Sequence, residues 1–207
     1  MTMRIHGDLG SGNCLKVKYT ADYLRLPYDW VPVDLMQGET KTKSFLAKNP
    51  FGQVPVVEFA DGRTLAQSNA IIRYLARDSA LLPQYAFAQA KVDEWMFWEQ
   101  YSHEPYVAVA RFQMVYMKKK MSEREPKVVE KGEQALDTME LMLSGRSYLV
   151  GEHLSVADIA LLAYTRLAHE GGFRLSHRPA IRKWIALCEA DLSISEQHTA
   201  VGGSRQG

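Results

Sequence analysis

The pattern of apolar residues changes near Asp78, and this change limits the folds open to the chain. Before Asp78, short β-like stretches alternate with short helical ones, ending in two strands and a helix. From Ala86 onward, apolar residues recur at helical spacing and no segment shows the alternation typical of a strand. The pattern therefore predicts a small mixed sheet with helices on its faces, followed by an all-helical bundle.

The expected elements follow from periodicity and punctuation. Strands are predicted at residues 3–7, 28–33, 54–59 and 64–66. Helices are predicted at 14–24, 44–47, 68–76, 86–120, 125–143, 156–169 and 179–191. Asp61-Gly62 marks a hairpin turn, and Pro105 is expected to interrupt the longest helix. We expect one domain over residues 1–80, a second over 86–195 and a loose, Ser/Gly-rich tail over 196–207.

Composition and charge argue against several classes of function. A net charge of +1 provides no field that would attract nucleic acid or an acidic membrane surface. The chain has two cysteines, Cys14 and Cys188, which are too few for a disulfide scaffold. No apolar run approaches the ~20 residues that span a bilayer, and the N-terminus lacks the pattern of a secretory signal. We therefore expect a cytoplasmic protein with no metal, nucleic-acid or membrane partner.

Residues 154–159, Leu-Ser-Val-Ala-Asp-Ile, predict a helix start. Ser155 is expected at the N-cap, and the Asp158 carboxylate is expected to reach back to it as in a capping box. Leu154 and Ile159 would pack across the cap. The expected role is to nucleate a buried helix, with a contribution of about 1–2 kcal/mol.

Two stretches of the first region are suited to binding. Pro55 stands near the start of an apolar strand, where it removes a ladder donor. Residue statistics favour an ordinary trans edge proline, whereas a cis bond would leave the Val54 backbone free to bind an extended peptide. Ser68 follows a strand and begins a helix, so its hydroxyl and the nearby amides suit a carboxylate, or Ser68 caps its own helix.

Three motifs occur in a fixed order along the chain. They are N-P-F-G-Q-V-P-V-V-E, L-A-Q-S-N-A-I-I-R-Y-L-A and L-V-G-E-H-L-S-V-A-D-I-A. In this order and spacing they resemble the cytosolic glutathione transferases, over about residues 3–190, with bacterial, phi-, theta- and nu-like features. The resemblance implies a thioredoxin-like α/β N-terminal domain followed by an all-α domain. It also implies glutathione as co-substrate, a homodimer and a role in detoxification.

The resemblance assigns glutathione contacts to two junctions of the first domain. Val54 matches the residue whose backbone holds the glutathione cysteine, and Pro55 matches a cis proline. Gln67 and Ser68 match the pair that holds the γ-glutamyl carboxylate. Many members of the family have Glu or Asp where this chain has Gln67, so this position is a mild variation.

Two further contacts come from the phi class. Gln53, just before Val54, resembles a glutathione contact there. Lys41 falls where phi-like enzymes place a lysine near the glycyl carboxylate. Thr40 stands where a histidine often precedes that lysine, so a solvated surface lysine is an equal alternative.

The loop between the first strand and helix carries the candidates for activating sulfur. The reacting form of glutathione is the thiolate, which a hydroxyl, an amide or a helix N-terminus stabilises. Ser11 matches the activating serine of phi and theta enzymes and is the leading candidate; Asn13 resembles a nu-class asparagine, and the two can act together. Cys14 resembles the cysteine of the omega and beta classes, although it lies further from the strand, and a small buried apolar group is its alternative.

The resulting prediction is a glutathione S-transferase that delivers the thiolate to a hydrophobic electrophile. Tyr106 and Arg111, after the Pro105 break, are expected to face the cleft as the electrophile site. A nu-like glutathione-dependent disulfide reductase or peroxidase is one alternative. A non-catalytic interaction module is another, and the complete set of glutathione contacts argues against it.

Overall fold

A computed structural model describes residues 2–194. The strands are β1 Met3–Gly7, β2 Tyr28–Pro32, β3 Val56–Glu58 and β4 Thr64–Ala66. The helices are α1 Gly12–Tyr23, α2 Lys43–Leu46, α3 Ser68–Leu75, α4 Ala86–Trp98, α5 Glu104–Val115, α6 Pro126–Leu143, α7 Val156–Thr165 and α8 Pro179–Asp191. A mixed sheet with helices, followed by a helical region, confirms the predicted fold class. The predicted loose tail lies outside the described residues.

The sheet has the order β2-β1-β3-β4. β1 pairs in parallel with β2 and antiparallel with β3, and β3 pairs antiparallel with β4. Parallel β1 and β2 need a crossover, which α1 supplies. The predicted strand over 54–59 is only three residues long, since Pro55 has no amide to donate to a ladder.

Helix α1 lies between the sheet domain and the helical region. It packs against α3 on one side and α7 on the other. Cys14, Val17 and Ala21 are fully buried, and so are the polar residues Lys16 and Thr20. Because α1 is enclosed on several sides, polar groups on it need partners from both regions.

The helix predicted over 86–120 is interrupted and ends early. A π-helical segment, Glu99–His103, separates α4 from α5, and α5 ends at Val115. Pro105 lies in the first turn of α5, where its missing amide hydrogen costs no helical bond. The predicted interruption of the helix is confirmed. It is a π-helical segment that ends two residues before Pro105. No helix within residues 2–194 is long and apolar enough to cross a membrane.

The predicted capping box at α7 is present. Asp158 Oδ2 accepts from the Ser155 amide at 3.0 Å and from the Ser155 hydroxyl at 2.7 Å. Its other oxygen, Oδ1, accepts from the Leu149 amide and from Trp184 Nε1, each at 2.9 Å. This fully buried carboxylate therefore ties the start of α7 to the preceding loop and to α8.

Candidate active site

A cleft of about 500 Å³ lies where the two regions meet. Its walls come from the loop after β1, the loop before β3, the start of α3 and the segment that joins α4 to α5. Seven of the eleven predicted site residues line it: Ser11, Asn13, Gln53, Val54, Pro55, Gln67 and Ser68. Residues spread over almost sixty positions of the sequence thus face one space.

The loop before β3 is held in shape by Asn49. Its Nδ2 donates to the Gln53 carbonyl at 2.7 Å, and its Oδ1 accepts from the Phe51 amide at 3.1 Å. The Val54–Pro55 peptide bond is cis, as the resemblance implies. Lys41 is exposed and lies outside the cleft lining, but its Nζ donates to the carbonyl of Gly52, a cleft residue, at 3.2 Å.

The start of α3 offers free backbone donors to the cleft. Gln67 links β4 to α3 with a φ of 69°, in the left-handed region, and its side chain makes no capping bond within the described residues. The first amides of a helix have no partner inside the helix. Ser68 is buried, and its hydroxyl donates to Asn13 Oδ1 at 3.0 Å.

Helix α1 begins at Gly12, two residues earlier than predicted, so Ser11 is its N-cap residue. Ser11 lines the cleft. The Asn13 amide donates to Tyr164 Oη at 3.3 Å. A Cβ on Gly12 would lie 2.6 Å from the Tyr164 ring, so only glycine permits this close approach of α1 to α7.

Cys14 is the third residue of α1 and does not line the cleft. It is fully buried, and its Sγ accepts from the Asp8 amide at 3.4 Å. Burial raises the pKa of the Cys14 thiol to about 12. A reactive cysteine needs exposure and a lowered pKa, so this environment does not support the prediction of Cys14 as a catalytic group.

A recess of about 60 Å³ opens beside Ser11. Its apolar lining includes Leu35 and Phe112, and Phe112 stacks on Tyr116 with ring centroids 5.2 Å apart. Tyr116 Oη donates to Asp8 Oδ2 at 2.9 Å. The aromatic pair on α5 is thereby attached to the loop that carries Ser11.

Of the two residues predicted for the electrophile site, one lines the recess and the other does not. Arg111 lines the recess, but its Nε donates to Glu170 and its Nη1 to the Gly10 carbonyl, each at 2.6 Å. Arg111 thus braces the loop after β1. Tyr106 lines neither the cleft nor the recess, contrary to expectation. Helical geometry explains this, since the cleft face of α5 carries Glu104, Ala108 and Phe112 at intervals of four, and position 106 points elsewhere.

Several residues that line the cleft or the recess are not among the predicted site residues. They are Leu35, Asn49, Gln100, Glu104, Phe112, Tyr116 and Tyr164. The spacing of Glu104, Ala108, Phe112 and Tyr116 is a signal for the inner face of α5. The register could be read only once the helix start was known.

A buried ion pair connects three of the segments that surround the cleft. Lys16 Nζ donates to Glu99 Oε1 at 2.9 Å, and both side chains are fully buried. Asn69 Nδ2 donates to Glu99 Oε2 at 3.0 Å. These bonds join α1, α3 and the π-helical segment, which together carry the cleft walls. Within residues 2–194, no three His, Cys, Asp or Glu side chains form a group that could hold a metal ion.

Two family models match the chain. Residues 10–78 match the glutathione S-transferase N-terminal domain, and residues 98–191 match the glutathione S-transferase C-terminal domain. A solved glutathione S-transferase from Pseudomonas fluorescens Pf-5 is similar, with 48% identity and a TM-score of 0.89. That alignment covers 92% of this chain and 96% of the other.

Two curated relatives differ in how much of their own length this chain covers. Glutathione S-transferase 3 of Zea mays is 34% identical over 194 residues, covering 88% of this chain and 86% of that protein. Probable elongation factor 1-gamma 1 of Arabidopsis thaliana is 32% identical over 166 residues, covering 77% of this chain but only 39% of that protein.

Proposed function

Because the chain belongs to the glutathione S-transferase family, we propose that it transfers the glutathione thiolate to a small hydrophobic electrophile. The observation that carries this proposal is the convergence of Ser11, Asn13, Val54 and Ser68 on one cleft. Its volume falls in the range of about 300–1,000 Å³ that is usual for small-molecule sites.

The donors in the cleft fit the two ends of glutathione. We expect the γ-glutamyl carboxylate at the start of α3, where the amides have no cap from Gln67. The Ser68 hydroxyl has one hydrogen and gives it to Asn13, so the backbone amide is the donor we expect for the carboxylate. The glycyl end would then lie toward Gln53 and Lys41, and the cysteine would pair with the Val54 backbone.

We expect the glutathione sulfur beside the N-terminus of α1. Ser11 is the proposed principal donor, and Asn13 the second. The positive end of the helix dipole and a hydroxyl donor both favour the thiolate. Cys14 has no part in this proposal, because it is buried away from the cleft.

The apolar recess beside Ser11 is the proposed start of the electrophile site. Leu35, Phe112 and Tyr116 line it. An electrophile packed against the Phe112–Tyr116 stack would lie next to a sulfur held by Ser11. The small volume of the recess favours compact or flat aromatic substrates.

The test is turnover of chlorodinitrobenzene and of a glutathione-linked disulfide, together with retention on immobilised glutathione. We expect the wild type to bind the column and to conjugate chlorodinitrobenzene. We expect Cys14→Ala to keep kcat/KM within about threefold, since the thiol does not reach the cleft. A wild type with neither retention nor conjugation would refute the transferase proposal. Disulfide reduction faster than conjugation, in the wild type and in Cys14→Ala alike, would favour the nu-like reductase alternative.

We also propose a homodimer, supported by aromatic residues exposed along and after α4. Phe97 is 75% exposed and Tyr101 84%. Aromatic residues are enriched at protein–protein interfaces relative to the rest of the surface. Light scattering is expected to give about twice the chain mass for the wild type, and the mass of one chain for Phe97→Asp/Tyr101→Asp. Leu141→Asp, at an exposed site on α6, is the matched control and should remain dimeric. A dimeric double variant would contradict this interface.

A further inference from the structure

The side-chain amide of Asn13 is held at both ends. Its Oδ1 accepts from the Ser68 hydroxyl at 3.0 Å, and its Nδ2 donates to Glu104 Oε1 at 3.0 Å. The two partners are 55 and 91 residues away in sequence and come from α3 and α5. An asparagine side chain has two N–H hydrogens. One therefore remains for a ligand in the cleft that Asn13 lines.

Ser68 and Glu104 differ in how strictly they fix the orientation of the Asn13 side-chain amide. A hydroxyl donates or accepts, so Ser68 alone is compatible with either orientation of the Asn13 amide. An ionised carboxylate only accepts, so it must face the nitrogen and never the oxygen. Glu104 is therefore the partner that decides which end of the amide faces which way.

Glu104 lies in the wall of the cleft, and its neighbours affect its protonation. Glu104 begins α5 and lines the cleft beside Gln100. Burial raises the pKa of Glu104 and the nearby Glu99 acts in the same direction, whereas Lys16 and the bonds from Asn13 and Gln100 lower it. The net effect is a raised pKa, so Glu104 takes its ionised, accept-only form at pH values above that pKa, and the neighbouring Lys16 stabilises this form.

The orientation of the amide has a chemical consequence. With nitrogen toward Glu104, the free N–H is available to a thiolate. In the reversed orientation the carbonyl oxygen would take that place and repel a negative sulfur. We propose that Glu104 is a positioning residue: by accepting from Asn13 Nδ2, it orients the Asn13 amide so that the second N–H donates to the glutathione sulfur. This inference rests on the proposed transferase function.

The test is a double-mutant cycle of Asn13→Ala, Glu104→Ala and the combined variant, measured in the full-length protein. Three readouts are taken: the thiol pKa of bound glutathione from thiolate ultraviolet absorbance, kcat with chlorodinitrobenzene, and the Kd of S-methylglutathione. We expect Glu104→Ala to lower kcat about tenfold and to raise the thiol pKa by about one unit. The Kd of S-methylglutathione, which has no thiol, should change less than about threefold.

The cycle separates positioning from an independent contribution. In the Asn13→Ala background, adding Glu104→Ala should leave kcat and the thiol pKa unchanged. An equal loss in both backgrounds, an unchanged thiol pKa, or an inert Asn13→Ala would overturn the proposal. Each of these results leaves the transferase function intact, because wild-type conjugation is measured separately.

Two further variants guard against an effect on folding. Glu104→Gln keeps the volume but offers both a donor and an acceptor, so it no longer dictates the amide orientation. Glu104→Gln should raise the thiol pKa of bound glutathione, as Glu104→Ala does. If Glu104→Ala is unfolded, Glu104→Gln replaces it in the double-mutant cycle. Glu94→Ala removes an exposed carboxylate on α4 and should match the wild type. A Glu104→Gln variant with the wild-type thiol pKa would overturn the proposal.

Discussion

Ser11→Ala is expected to lower kcat/KM for glutathione and chlorodinitrobenzene about a hundredfold, as loss of one well-placed donor to a reacting anion does. Ser11 lines both the cleft and the apolar recess, which is where sulfur and electrophile must meet. Its side chain makes no capping bond with α1 within the described residues, so stability should change little. The thiol pKa of bound glutathione should rise toward its free value of about 8.5.

The controls separate activation from binding. The Kd of S-methylglutathione should stay within about threefold, because the proposed contacts of Val54, Gln67 and Ser68 do not involve the missing hydroxyl. Ser11→Thr keeps a hydroxyl and should retain more activity than Ser11→Ala. Ser147→Ala, an exposed serine outside the cleft and recess, should behave as wild type. If Ser11→Ala were nearly unaffected while Asn13→Ala lost a hundredfold, Asn13 would be the principal donor.

Asp158→Ala is expected to lower the free energy of unfolding by about 4 kcal/mol. Asp158 is fully buried and accepts from Ser155, Leu149 and Trp184. Its removal leaves two backbone amides and an indole N–H without an acceptor in the interior, each costing about 1–3 kcal/mol. Urea denaturation followed by tryptophan fluorescence measures the change.

Two substitutions near the same cap are expected to lower the free energy of unfolding by less than Asp158→Ala does. Ser155→Ala removes one hydroxyl donor and leaves the carboxylate bonded to the other three groups, so the expected loss is about 1 kcal/mol. Glu152→Ala removes an exposed acid from the same loop and should cost less than about 0.5 kcal/mol. An Asp158→Ala variant no less stable than Ser155→Ala would show that the cap does not tie the three elements together.

Much of the fold could be predicted because its signals are local. The change from strand–helix alternation to helical spacing near Asp78, the hairpin at Asp61-Gly62 and the capping box at Ser155 each depend on a few adjacent residues. The errors have equally physical reasons. The strand before Glu58 is short because Pro55 lacks an amide hydrogen, and the long helix is divided by a π segment. Helical periodicity alone does not reveal such a segment.

The site was predictable in part. Two motifs of the first region identified five residues that line the cleft, including Val54 and Ser68, and the loop after β1 supplied Ser11 and Asn13. Tyr106 lies outside the lining of the cleft and the recess, which its position after Pro105 did not reveal, since the register of a helix depends on where it begins. Cys14 was open to two interpretations, a reactive thiol or a small buried apolar group, and its complete burial favours the second.

By itself, the sequence determined the fold class, the family and, to within two residues, the starts of α1, β3 and α3 beside the site. These follow from backbone hydrogen bonding, periodicity and short motifs, which act over a few residues. Only the tertiary structure decided which side chains share an environment. Glu104 contacts Asn13 across 91 residues, and Cys14 on α1 is fully buried while Ser11, three positions earlier, lines the cleft. Burial and the direction of a side chain are properties of packing between distant segments, and no local pattern encodes them.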